Sequence, residues 1–193
     1  MRGIYVPPVT SAYSNDIAQT IIGNRFGAFS PALKPAYPGQ PSFGSIPFSG
    51  IEVNDVRWQI GAASQDSNYF INLNTGILGF RSTMKVVNNR FNRIFSDDSL
   101  AFTSHWDGTA IVSIGKLGSL AGNLVVQPIT SGSWTIERSD RGVYTDVSEL
   151  DIQKVNMTAM HTGIFSTRCT APMQSLVNIC HIDADQVGIN WMD

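Results

Sequence analysis

Residues 68–87 read NYFINLNTGILGFRSTMKVV, and their pattern decides the predicted fold. Two short β-type runs, 68–74 and 79–87, flank the turn-forming triplet Asn74-Thr75-Gly76. The second run alternates in side-chain direction, as a half-buried strand does. One face would carry Phe80, Ser82, Met84 and Val86, and the other Arg81, Thr83, Lys85 and Val87. This stretch therefore predicts a mainly β body.

Similar runs follow on both sides, among them VRWQIGAA at 56–63, TAIVSIG at 109–115 and GVYTDV at 142–147. Asp107-Gly108 separates the run LAFTSHW at 100–106 from the run at 109–115 and predicts a β-hairpin over 100–115, because both residues tolerate positive φ. Helices are predicted from Ser14 or Asn15 to about Gly23, and after Pro172. We find no internal sequence repeat, and we predict a single β-sandwich or barrel-like body with one or two short helices.

Residues 1–50 differ in composition from residues 51–193, which form the predicted β-rich body. Seven of the nine prolines precede residue 50, and proline is excluded from central strands and helix interiors. The segment is therefore predicted to be an extended N-terminal arm. Such an arm cannot bury aromatic rings on itself, so they must dock either on the body of the same chain or on a neighbouring subunit. We predict that five of them contact a neighbouring subunit: Phe26, Phe29, Tyr37, Phe43 and Phe48.

The bulk composition disfavours several classes of protein. Charged residues make up 15% of the 193, against roughly 25% in typical soluble domains, and charge is depleted at interface cores. The net charge of −2 lacks the basic excess of a nucleic-acid binder. No apolar run approaches the roughly 18 residues of a membrane span. Two cysteines do not make a disulfide scaffold, and a reduced intracellular origin is the simpler interpretation.

Charge is unevenly distributed along the chain. Residues 1–96 hold eight basic and four acidic side chains, a balance of +4, and residues 97–193 hold five basic and eleven acidic, a balance of −6. Such polarity would favour head-to-tail contact between copies. Alternatively, both halves interleave in one fold and the asymmetry disappears in space.

Three groups of residues have the side-chain types of a chemical site. His181, Asp183 and Asp185 would share one face of a strand and could hold a divalent cation, or they could be ordinary polar surface. Ser104-His105-Trp106-Asp107 contains the residue types of a catalytic triad, but neighbours on a strand point to opposite faces. The basic segment Arg81–Arg93 could meet nucleic acid or form a solvated face. We predict no catalytic residues, no metal and no cofactor.

These observations favour a structural subunit of a large assembly, most typically a viral or phage particle component such as a capsid, tail or decoration protein. Its expected partners are copies of itself and other assembly proteins, with no membrane, nucleic acid or small-molecule substrate. It would be made in the cytoplasm and reside in the assembled particle. The alternatives are a carbohydrate- or ligand-binding β-sandwich that uses exposed tryptophans, and a small hydrolase on a β scaffold.

Overall fold

The strands of this protein pair only in parallel and stack into three ladders. The computed structural model describes residues 2–6, 20–27, 49–62, 67–96, 106–115, 122–127, 135–168, 175–178 and 180–192. Within these ranges the chain passes from the first ladder to the second and the third, and then returns to the first one level higher. The result is a coil of stacked turns, each of which pairs with the turn before it and the turn after it.

The ladders are defined by the following strands. The first contains β1 Arg2–Val6, β4 Ser49–Asn54, β7 Thr75–Phe80, β10 Thr109–Ile114 and β13 Arg141–Asp146. The second contains β2 Thr20–Ile21, β5 Arg57–Ile60, β8 Thr83–Val87, β11 Gly122–Gln127, β14 Ser148–Gln153 and β16 Ser175–Asn178. The third contains β3 Arg25–Gly27, β6 Tyr69–Leu73, β9 Arg90–Ile94 and β12 Thr135–Glu137.

Two long strands join the third ladder to the first. β15 Asn156–Thr167 pairs with β12 at its start and with β13 at its end, and β17 His181–Met192 lies beside β15 over nearly its whole length. The first and third ladders thereby form one eleven-stranded sheet, and the second ladder forms a separate six-stranded sheet.

The corners of the coil are made by residues with left-handed backbone conformation. Asp55, Arg81, Val147 and Arg168 have φ between 46° and 52° and lie where the first ladder gives way to the second. A second row with φ between 51° and 60° lies at the end of the third ladder: Asn72, Arg93, Arg138 and Ala159. A residue in the left-handed conformation changes the direction of the chain at a corner, and such residues recur at equivalent positions in successive turns.

The core is built from rows of similar side chains stacked along the coil. Ile51, Ile77, Ile111, Val143 and Ile164 occupy one row, and all are fully buried. On the third ladder Phe26, Phe70 and Phe91 stack face to face, with ring centroids 4.9 and 4.7 Å apart. Offset-stacked rings add to the free energy of burial, so this column stabilises the first three turns.

A second apolar cluster lies on the opposite face of the first ladder. It contains buried Leu78, Val112 and Tyr144, with Phe80, Trp106, Ile114 and Phe165 packed around them. The middle strands β7 and β10 are therefore buried on both faces, as strands of parallel sheets are.

The structure confirms a mainly β protein with a nearly closed, barrel-like sheet. The antiparallel hairpin predicted around Asp107-Gly108 is wrong, because parallel strands β7 and β13 occupy both edges of β10. The predicted strand 79–87 is interrupted at Arg81, where the chain turns a corner. The triplet at 74–76 is no turn either, since β7 begins at Thr75.

The predicted helices are not found in the described residues. Residues 175–178, within the helix expected after Pro172, form strand β16. The helix expected from residue 14 lies mostly outside the described residues, and Thr20–Ile21 form strand β2. In the described ranges, no helix is long and apolar enough to cross a membrane.

The described parts of residues 1–50 are strands of the coil. β1 pairs with β4, β2 with β5 and β3 with β6, so these segments form the first turn. Most of the proline-rich stretch, residues 28–48, lies outside the described residues.

Candidate interaction surface

Most side chains of β17, the last strand of the described coil, are exposed. The last strand, β17, pairs along one edge with β15, and among the described residues no strand pairs with its other edge. An open edge presents backbone N–H and C=O groups that can pair with a further strand. We refer to β17 with its open edge as the terminal edge.

Large apolar side chains accompany this open backbone. Val187, Ile189, Trp191 and Met192 are 36%, 48%, 42% and 44% exposed. Ile189 continues the buried row that runs through Val143 and Ile164, and among the described residues no further strand covers it.

Acidic groups lie at the start of the same strand. His181, Asp183 and Asp185 are all exposed and alternate with half-buried Ile182 and Ala184, which confirms the extended conformation that the spacing required. His161 Nδ1 of the neighbouring strand lies 2.9 Å from Asp185 Oδ1. In the part of the chain that the structure describes, no three His, Cys, Asp or Glu side chains are placed to hold a metal ion. The arrangement is an acidic strand face with one His–Asp pair.

The two ends of the coil carry opposite charge. The strands of the first turn, β1 to β3, contain Arg2 and Arg25 and no acidic residue, whereas β17 contains Asp183 and Asp185 and no lysine or arginine. Because each turn follows the previous one along the axis, order in the sequence becomes order in space. In the described turns, strands from residues 1–96 and strands from residues 109–192 occupy successive levels and do not interleave.

A buried carboxylate anchors the corner beside the terminal edge. Arg168 donates from Nε to Asp146 Oδ1 at 2.6 Å and from Nη2 to Oδ2, while Thr167 Oγ1 donates to Asp146 Oδ1 at 2.9 Å. The hydrogen bonds and charge of Asp146 raise the pKa of Arg168 above its ordinary value. Arg168 N also donates to Met192 O, so the same residue ties the end of β17 to the body.

A second arginine pair occupies the equivalent corner lower in the coil. Arg81 Nε donates to Asp55 Oδ1 at 2.6 Å, and this hydrogen bond raises the pKa of Arg81. Arg81 is thus part of a corner rather than of a basic groove. The Arg90 side chain is exposed on the third ladder, whereas Lys85 is half-buried on the second, so the basic residues of 81–93 are divided between faces.

Of the five residues predicted to contact a neighbour, one lies in the described ranges. Phe26 is only 8% exposed and stacks on Phe70 of its own chain, so its ring is already covered. Pairing of β3 with β6 brings this ring into the core of its own chain. Phe29, Tyr37, Phe43 and Phe48 lie outside the described residues.

The tryptophans and the triad-like residues do not form a common site among the described residues. Trp58 lies on the second ladder, Trp106 packs edge-on against Phe80 at 5.9 Å, and Trp191 lies at the terminal edge. Asp107 is 5% exposed in the turn before β10. Ser104, His105 and Trp134 lie outside the described residues.

Sequence reasoning missed a row of hydrogen-bonded asparagines at the corner before the third ladder, of which Asn68 and Asn89 are fully buried and Asn24 is half-buried. Asn24 N donates to Asn68 Oδ1 at 3.1 Å, Asn68 Nδ2 donates to Asn89 Oδ1 at 2.8 Å, and Asn89 Nδ2 donates to Ile60 O at 2.8 Å. Each asparagine immediately precedes a strand of that ladder. That shared position was the available signal, but it becomes visible only once the strands are aligned as successive turns.

Comparisons with family models, curated proteins and solved structures found no match to this chain.

Proposed function

We propose that this protein is a structural subunit of a large protein assembly, a component of a viral or phage particle, and that it acts by binding other proteins. The observation that carries the proposal is the terminal edge, where an open strand and an exposed row of Val187, Ile189, Trp191 and Met192 coincide. Exposed apolar groups beside unpaired backbone are the usual starting point for strand addition between proteins.

The rest of the coil supports a static role. Both faces of β7 and β10 are buried, and two pairs of buried hydroxyl groups are hydrogen-bonded: Ser113 with Ser148 and Thr145 with Ser166, each at 2.7 Å. Such a core holds the terminal edge in a fixed position. A preformed edge binds with less loss of conformational entropy than a flexible one.

The aromatic residues of the proline-rich stretch belong to the proposal as a second contact. Phe29, Tyr37, Phe43 and Phe48 would each insert into an apolar groove of a neighbouring protein. Tyr37→Ala and Phe43→Ala are expected to weaken incorporation into the assembly and leave the free energy of unfolding of the isolated chain unchanged. Equal loss of both would place these rings on their own body.

Sedimentation of an extract from the native source tests the function directly. The chain, followed with an antibody, should sediment with particles far heavier than its own 21.0 kDa. Variants at the terminal edge should move it to the light fractions. If the native chain itself sediments near 21.0 kDa under gentle conditions, the structural role is wrong.

A further inference from the structure

We infer that the start of the first ladder contains a buried binding site for water, in which single water molecules join polar side chains of successive turns. The site consists of Ser49, Thr75 and Thr109 together with Asn74, and we refer to these four residues as the hydroxyl row. Each of the three hydroxyl residues is the first residue of its strand, in β4, β7 and β10. The inference goes beyond the proposed function and does not depend on it.

The register of the strands places the residues of the hydroxyl row side by side. Ser49 pairs with Thr75 across β4 and β7. Thr75 and Thr109 each lie two residues before a paired isoleucine of β7 and β10. Gly108 N donates to Asn74 O at 2.9 Å, which holds the start of β10 against the start of β7. The three hydroxyl residues therefore occupy the same position in three successive turns.

The four side chains are fully buried and share one hydrogen bond, since all have an exposed fraction of 0%. Thr75 Oγ1 donates to Asn74 Oδ1 at 3.2 Å. In the part of the chain that the structure describes, three polar atoms have no protein partner: Ser49 Oγ, Asn74 Nδ2 and Thr109 Oγ1. Polar groups buried in proteins are nearly always hydrogen-bonded, and ordered water is the usual partner where the protein supplies none. Three such groups in neighbouring turns therefore point to a ligand at this position.

The distance between turns fits one water molecule. Neighbouring strands lie about 4.8 Å apart. A water molecule that makes two hydrogen bonds of about 2.8 Å at its tetrahedral angle joins oxygen atoms about 4.6 Å apart. Thr145 and Ser166, which also lie on neighbouring strands, instead bond directly at 2.7 Å. The hydroxyl row has no direct bond between turns, so one water between Ser49 and Thr75 and another between Thr75 and Thr109 would complete it.

The chemistry of the hydroxyl row favours water over an ion. Asn74 Nδ2 is a hydrogen-bond donor, which a cation cannot accept from, whereas each hydroxyl group can both donate and accept. At the next turn Arg141 takes the equivalent position, and its guanidinium lies over the Phe165 ring, 5.7 Å from the ring centre. The hydroxyl row itself is therefore uncharged. A water molecule fits it because water also donates and accepts, and buried water makes about three hydrogen bonds in proteins.

Magnetic relaxation dispersion of water in a solution of the purified full chain tests the inference, because it counts the water molecules that stay buried for longer than the protein tumbles. Thr109→Val keeps the shape of the side chain and replaces the hydroxyl group with a methyl group. We expect one long-lived water fewer in this variant. The folding equilibrium constant should fall about fivefold, because the hydrogen bond to that water is lost.

Thr145→Val is the matched control, since it removes a hydroxyl group that bonds directly to Ser166. It should lower the folding equilibrium constant and leave the number of long-lived waters unchanged. If Thr109→Val does not fold, as judged by circular dichroism, Ser49→Ala takes its place with the same expected loss of one water. A water count equal to that of the wild-type chain in the folded variant overturns the inference, and a folding equilibrium constant that rises on loss of the hydroxyl group does so as well.

Discussion

Removal of the central ring of the phenylalanine column should be among the most destabilising single changes in the described core. Phe70 is fully buried, stacks on Phe26 and Phe91, and packs closely against Gly50. Phe70→Ala removes the buried ring, leaves a cavity and abolishes both stacked pairs. We expect the free energy of unfolding to fall by about 3–5 kcal/mol.

Urea denaturation followed by circular dichroism measures this loss. Phe70→Leu is the matched control, because it keeps most of the apolar volume and removes only the ring faces; it should cost about 1–2 kcal/mol. A double-mutant cycle with Phe91→Leu should return a coupling of about 0.5–1.5 kcal/mol. If Phe70→Ala costs less than about 1 kcal/mol, the ring does not lie in a packed column and the stacking of turns described above is wrong.

Three further changes test other parts of the coil by the same measurement. Gly76→Ala should lower the free energy of unfolding by about 1–3 kcal/mol, because a Cβ there would lie 2.4 Å from a backbone oxygen. Gly188→Ala should change it little, because a Cβ at that position would have no atom within 4 Å. Equal effects would contradict the spacing of the turns. Asn89→Ala should cost about 1–3 kcal/mol because it leaves buried partners unsatisfied, and a neutral result would mean that the asparagine row is not hydrogen-bonded. Arg168→Met should lower the free energy of unfolding by about 1–2 kcal/mol and Arg81→Met by less than about 1 kcal/mol, because the carboxylate that Arg168 binds is the more buried of the two. A larger loss for Arg81→Met would contradict this explanation.

Several strands could be predicted from the sequence, and their pairing could not. The runs at 69–73, 109–114 and 141–146 have the β-branched and aromatic composition of strands, and all three are strands. The corners between them were hidden, because left-handed positions that usually attract glycine hold residues such as Arg81 and Val147. The sequence alone therefore suggests one continuous strand over 79–87 and a hairpin at Asp107-Gly108.

Gly108 shows how a correct local signal led to a wrong topology. Its φ of 78° is the positive value that the Asp-Gly pair predicted. Its backbone, however, bonds to the turns on either side: Gly108 N donates to Asn74 O, and Arg141 N donates to Gly108 O. Local chemistry fixed the conformation of the residue, whereas pairing between distant turns determined the direction of the chain.

The repeated turns are not visible in the sequence because the number of residues per turn varies. Equivalent residues Ile51, Ile77, Ile111, Val143 and Ile164 are 26, 34, 32 and 21 residues apart, since segments of different length leave the corners. The continuous apolar runs of β7 and β10 were the signal for buried parallel strands, in place of strict alternation. The terminal edge could not be predicted, because exposure of Ile189 depends on which strand ends the stack.

Because each turn contacts only the turns next to it, the length of the coil does not depend on which residues lie at its two ends. Duplication or deletion of one whole turn would change the axial dimension by about 4.8 Å, the spacing of adjacent strands. The basic first turn and the acidic final strand would be retained in either case. Descendants of such a chain could therefore differ in length along the axis while they kept the same two end strands.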